Sequence, residues 1–329
     1  MRSRALRSIS GRELRPLLEE EIAHWASELD WDFSEVAAAV EGGLDRGALT
    51  GRLLEDRTGP LAYCYYMIDG SRSIVGSLFA TEAIRGQGIE ESLLDPVLIG
   101  AQADPGSSRV ECQTLFSTAA DADRHFDRVG FVGRRRHYLM RGLDQPISVP
   151  GHSFRIRSLR RKDLPAAADV IYRSHHGSLD AALNTTYSTP ETCRGFVDTL
   201  VLRSGCGRYA PEASLVAETA PGGEGERRLL GVIIASALSK SNGHVCQVSV
   251  MPEAQGQGLG KVLVLSALTA FRDIGLTKAS LSVTVGNALA YGLYERLGFR
   301  LRREFAAHAW VRPPERIDLP AEEAPKASA

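Results

Sequence analysis

The chain has 329 residues, 43% of them hydrophobic and 24% charged, and a formal net charge of −1. Such a length suits two domains better than one core, and the composition is that of a soluble globular protein. No excess of Lys and Arg is available to neutralise phosphates, so nucleic acid is not an expected partner.

The start, "MRSRALRSISGREL", is basic but lacks the apolar stretch of a secretory signal. The apolar-rich run 259–271 contains Lys261 and is too short to span a bilayer, so no membrane is expected. Cys64, Cys112, Cys193, Cys206 and Cys246 show no CxxC spacing. They point to no metal site and no disulfide framework, and suit a reducing cytoplasm.

In the first half, "RGQGIE" (85–90) opens a helical pattern, and a strand and a second helix lead to "RVGF", ending at Phe131. The stretch 142–153, rich in Gly, Pro and Ser, reads as a linker. Beyond it, 154–159 alternates as a strand and 161–175 has helical spacing, followed by a second helical pattern at 190–203. Strands are expected at 213–219 and 227–238 around a Gly-rich turn, and at 244–252, where Pro252 stops the run. "QGQGLG" (255–260) then opens a helix to 274, followed by strand 278–285, helix 287–297 with "RLGF" ending at Phe299, and a final pair of strands to about Arg312. The tail 313–329 has few apolar residues and is expected to be disordered. Gly88 to Gly130 is 42 residues and Gly258 to Gly298 is 40, a matched spacing that makes the two halves duplicates of one plan.

"VSVMPEAQGQGLGKVL" and "VTVGNALAYGLYERLGF" together resemble the GNAT (Gcn5-related) N-acetyltransferase superfamily. The resemblance covers roughly 154–312, and more weakly 5–141. It implies an α/β fold with a mixed sheet, arranged as two tandem GNAT-like domains: a degenerate one over 1–145 and a catalytic one over 150–312. It also implies acetyl-coenzyme A as acyl donor, without a metal, and an amine as acceptor, on a small molecule, a peptide or a protein. Glycines let the backbone approach a diphosphate at a helix N-terminus. The donors in that loop are Gln255, Gly256, Gln257, Gly258, Gly260 and Lys261. By the same resemblance the strand before it offers its backbone at Val248 and Val250, and Asn287 contacts the cofactor while capping its helix.

Tyr294 is the candidate acid for the departing thiol, since a phenol keeps its proton at pH 7; it could instead merely pack. His244 is the candidate base, because strict alternation places it on the face of Cys246, Val248 and Val250. Glu218 and a water are alternatives. The acceptor is expected against the segment 174–192, where His175 and His176 read as solvated. In the first half, Glu90 puts a carboxylate where the diphosphate would lie, Phe126 replaces Tyr294, and the span from Gly76 to Arg85 leaves room for one strand rather than two. That half is therefore expected to bind no cofactor. A non-catalytic acyl-coenzyme A sensor or a scaffold is the competing reading of the whole chain.

Overall fold

A computed structural model describes residues 1–116, 119–178, 180–181, 184–203, 206–219 and 228–313. The expected tail at 313–329 lies outside the described residues, apart from Pro313.

The first half runs β1 (Arg2–Ala5), α1 (Gly11–Leu29), α2 (Ser34–Asp45), β2 (Thr50–Glu55), β3 (Pro60–Asp69), β4 (Arg72–Ala80), α3 (Leu94–Ala103), β5 (Arg109–Thr114), α4 (Ala119–Arg128) and β6 (Val132–Gly142). The second runs β7 (Arg155–Ser158), α5 (Leu164–His175), α6 (Pro190–Leu202), β8 (Arg208–Tyr209), β9 (Leu215–Glu218), β10 (Leu229–Ala237), β11 (Asn242–Val250), α7 (Leu259–Asp273), β12 (Lys278–Thr284), α8 (Ala288–Arg296) and β13 (Arg300–Val311). Apart from β8, the two lists match element for element. The second half ends in one long strand, β13, rather than the expected pair.

Local chemistry sets the helix starts. At α1, Ser10 accepts from the Glu13 amide at 3.3 Å, and the Glu13 carboxylate accepts from the Ser10 amide at 2.8 Å. Leu14, Leu17, Leu18, Glu21 and Trp25, at helical spacing, are buried against the sheet. At α6, Thr189 and Thr192 form the equivalent box, with Pro190 in the first turn.

All thirteen strands lie in one sheet, in the order β1-β2-β3-β4-β5-β13-β6-β12-β11-β10-β9-β7, with β8 beside β10. The halves exchange their last strands. β6 pairs antiparallel with β12 of the second half, β13 pairs antiparallel with β5 of the first, and β6 and β13 pair with each other at the centre. A second tie comes from Asp30, which caps α1 with φ of 50°. Its carboxylate accepts from Ser239, Ser241 and Lys278 of the second half at 2.8–2.9 Å.

Two corrections to the sequence reading follow. The first half does have both strands of its hairpin: β3 and β4 pair through a tight turn at Gly70 and Ser71, so the argument from missing length fails. Strict alternation also fails in β11. Ile234 pairs with Gln247 and Ala235 with Val245, so Cys246 is an extra, unpaired residue, a β-bulge. The bulge reverses parity, placing His244 on the face of Gln247 and Ser249, not that of Val248 and Val250.

Candidate active site

Parallel pairing of β11 with β12 runs from Asn242 with Lys278 to Val245 with Leu281, and there it ends. Beyond Val245 the two strands part, and the sheet opens. A cavity of about 280 Å³ begins at this split and crosses β6 and β13 as far as β5. Val248, Val250, Gly260, Asn287 and Tyr294 line it, so five of the residues expected from the sequence converge there.

Gln255, Gly256, Gln257, Gly258 and Lys261 form an exposed lip beside it. Gly256 and Gly258 have φ of 75° and 80°, and Gly258 is the N-cap of α7. A Cβ at either glycine would meet nothing within 4 Å, so the left-handed backbone demands glycine while the space above it stays open. Gln255 donates to the Val250 carbonyl at 3.1 Å, which fixes the loop to the end of β11. An open nest of backbone at a helix N-terminus fits a diphosphate.

Tyr294 is 6% exposed, with its ring edge-on to Phe299 at 6.0 Å. Burial, reinforced by Asp180, pushes its phenol up to about 12. Asn287 accepts from the Ala290 amide at 3.2 Å and caps α8.

His244 does not line the cavity. It lies between the Trp31 and Tyr138 rings at 6.1 and 5.9 Å, with Nδ1 2.9 Å from the Ser280 hydroxyl. Burial, with Arg136 adding to it, lowers its imidazole to about 3, so the ring is neutral at any physiological pH. The physical cause is the bulge, which turns the side chain to the α1 side. Glu218 does not line the cavity: Arg157 holds it, and also grips Asp163 at 2.6 Å.

The structure adds residues that the sequence reading missed. From the segment 174–192, His175, Asp180, Asn184 and Tyr187 roof the cavity. His175 is not solvated: it stacks on Tyr187 at 4.1 Å, and burial lowers its imidazole. Its Nδ1 is 3.0 Å from the Ile171 carbonyl, an arrangement in which Nδ1 donates and Nε2 is the acceptor nitrogen, 3.5 Å from the Gln247 side-chain amide. The Tyr187 hydroxyl donates to Gln247 at 3.0 Å. Arg136 of β6 and Glu111 of β5, both from the first half, also line the cavity. Strand exchange brings them there, and no local motif announces it.

A parted sheet, a glycine loop at a helix N-terminus and a buried phenol thus meet at one cavity. Residues 188–299 match the family model described as acetyltransferase (GNAT) family. A mycothiol acetyltransferase of Gordonia bronchialis is 27% identical over 70% of this chain and 77% of its own length. One of Actinosynnema mirum is 42% identical over 76 residues, and one of Rhodococcus opacus 39% over 89. These two matches span only 26% and 29% of those relatives' lengths.

Among solved structures, a GCN5-related N-acetyltransferase from Sphaerobacter thermophilus superposes with TM-score 0.69 at 20% identity, covering 95% of this chain and 96% of that one. A tandem GNAT protein from the clavulanic acid biosynthesis pathway gives 0.55 at 10% identity, over 95% and 99%. The GNAT family match thus lies in the second half, and the whole length of the chain has the fold of these GNAT structures, a tandem one among them. Among the described residues no helix is long and apolar enough to cross a membrane, and no cluster of His, Cys, Asp and Glu is placed to hold a metal.

Proposed function

We propose that the chain transfers an acetyl group from acetyl-coenzyme A to an amine, with the chemistry in the second half. The observation that carries this reading is the buried Tyr294 phenol in the cavity at the β11–β12 split, with the open glycine loop at its lip.

Acetyl-coenzyme A, when bound, supplies an activated thioester. Gly256, Gln257, Gly258 and Gly260 would hold its diphosphate through backbone amides at the start of α7. The edge of β11 beyond Val245 would take the pantetheine arm as an added strand. Tyr294 keeps its proton at neutral pH and presents it to the departing sulfur. His175 replaces His244 in the base role: neutral, lining the cavity and offering Nε2, it accepts the proton of the attacking amine. The proposed unit boundaries, 1–145 and 150–312, then separate a supporting half from a catalytic half, with β6 and β13 exchanged between them.

Calorimetric titration of the full chain with acetyl-coenzyme A should give one site per chain, and an amine panel should release coenzyme A thiol. Binding without thiol release from any amine would favour a sensor, and no binding would favour a scaffold.

A further inference from the structure

The cavity holds three formally charged carboxylate or guanidinium side chains, and they are not treated alike. Glu111 is neutralised: Arg109 donates to it at 2.7 Å, Arg72 at 3.4 Å, and Thr185 at 3.2 Å. Asp180 accepts from the Thr284 hydroxyl at 2.5 Å and has no cation at ion-pair distance among the described residues. Arg136 is the converse. Its Nε is buried with no hydrogen-bond partner, and no described carboxylate reaches its guanidinium. The Phe305 ring lies 5.9 Å from it.

The two unmatched charges are neighbours. Arg136 on β6 and Thr284 on β12 are direct cross-strand partners, and Thr284 is the residue that holds Asp180. The fold thus sets a cation and an anion on either side of one threonine and keeps them from meeting. Both side chains are partly buried, and a charge without a partner is costly to take out of water. Asp180 lies on the side of Tyr294, whose phenol it pushes upward, while Arg136 and Asp180 both act on Tyr187, in opposite senses.

We propose that the acceptor is a zwitterion, an amino acid whose ammonium is held at Asp180 and whose carboxylate is held by Arg136. This rests on the transferase reading above and narrows its substrate class. A guanidinium takes a carboxylate in a two-pronged geometry, which fixes the orientation of a small molecule. Asp180 then sets the nitrogen on the Tyr294 side of the cavity, where the acyl group must arrive. An amine without the acid group leaves Arg136 unmatched, and loses about 10- to 100-fold in kcat/KM by the usual worth of a charge-assisted bond.

The test uses the full chain with saturating acetyl-coenzyme A. Thiol release is followed with the protein α-amino acids and β-alanine, each against its own amide, together with glucosamine as an amino sugar. The best amino acid should exceed its amide by at least about 10-fold in kcat/KM. Arg136→Gln should bring that ratio to within about threefold of one, and Arg136→Lys, which keeps the charge but not the fork, should leave an intermediate ratio. Calorimetric titration with the same pairs gives a readout independent of turnover, and a thermal melt shows that each variant is folded.

Amides or glucosamine used as well as the acids would overturn the proposal while leaving the transferase reading intact. So would a ratio unmoved by Arg136→Gln in a folded variant. Release of thiol with no amine at all would instead overturn the transferase reading, and the titrations would still decide whether the cavity prefers the acid.

Discussion

The second half opens a cavity where β11 and β12 part, whereas the matching hairpin of the first half is packed with aromatic side chains. Matching strands by register, Tyr63, Tyr65 and Phe79 correspond to Val232, Ile234 and Ser249. The three aromatic side chains are 0–6% exposed, and the Tyr65 ring lies so close over Gly76 that a Cβ there would overlap it. The Tyr63 hydroxyl donates to the buried Glu21 carboxylate at 2.5 Å, and Ser77 donates to it at 2.8 Å. Aromatic side chains each bury roughly 150–250 Å². Val232, Ile234 and Ser249 are equally buried but smaller, so the first half packs more bulk at the same core positions.

The loops differ less than their fates. Gly86 and Gly88 keep φ of 74° and 75°, as their counterparts do. Arg85 donates to the Ala80 carbonyl at 2.8 Å, as Gln255 does to Val250. Arg85 then turns inward, onto His24 and over the Phe79 ring. The helix behind the loop also starts late: Glu90–Leu93 is a 3₁₀ turn, and α3 begins at Leu94. Pro96 explains this, because its ring clashes with the carbonyl four residues earlier and forbids an α-turn through Ser92. The first-half amides are not aimed as those at the start of α7 are. The side chain of Glu90 lies outside the described residues, so the charge argument from the sequence stays a proposal. The lesson is that the glycine turn is common to both halves, whereas the helix start behind it and the cavity beside it tell them apart.

Making the second half resemble the first is the direct way to break this comparison. Tyr294→Phe, the residue already present as Phe126, should lower turnover at saturating donor by about 10²–10⁴-fold while leaving donor affinity nearly unchanged. Stopped-flow thiol release with calorimetry checks both; parental turnover would make Tyr294 a packing residue.

Gly260→Glu copies Glu90. A Cβ there meets just Val250, at 3.8 Å, so the fold should tolerate it. One like-charge pair at about 5 Å and an effective dielectric near 20 costs roughly 3 kcal/mol, or about 100-fold in donor Kd. An unchanged Kd would show that position 260 does not face the diphosphate.

Ser249→Phe copies Phe79 into a site 3% exposed. Overpacking should destabilise the chain by about 1–3 kcal/mol in a urea melt, and the acceptor KM should rise. A stable variant with full activity would mean that the roof adapts, and that aromatic filling is not what closed the first half.

An effect absent at neutral pH sharpens the comparison through His244, whose imidazole is at about 3 folded against an ordinary 6.5. Below pH 6.5 the unfolded chain takes up a proton that the native state refuses. Stability is therefore fully present above 6.5 and falls on acidification, by at most about 1.4 kcal/mol per pH unit until the folded value is reached. His244→Gln should flatten this slope in pH-dependent melts and leave the rate profile alone. A neutral-pH change in the rate profile would return His244 to the base role.

The sequence disclosed what is local. Gly256, Gly258, Asn287 and Tyr294 announce themselves because a left-handed turn, a helix cap and a motif helix are each set within a few residues. The doubled plan was legible from matched spacing. The bulge at Cys246 was not, since an extra residue in a strand leaves no mark in "HVCQVSV" until its partner is known. Arg136 lies in an ordinary strand, "GRRRHYL", and its part in the cavity depends on β6 pairing across the halves. The β3–β4 hairpin did carry a turn signal in "IDGSR", which a search for a longer span overlooked.

Strand exchange bears on how such a chain is made and inherited. The open edge of β5 is closed by β13, synthesised nearly two hundred residues later, while β6 waits unpaired for β12. The first half cannot finish its sheet during its own synthesis, so truncation before residue 300 should send both halves, not one, to proteolysis. A gene-shuffling event that replaced one half would also replace a strand in the other. The two halves are sewn through each other, and neither sheet is complete without the other's strand.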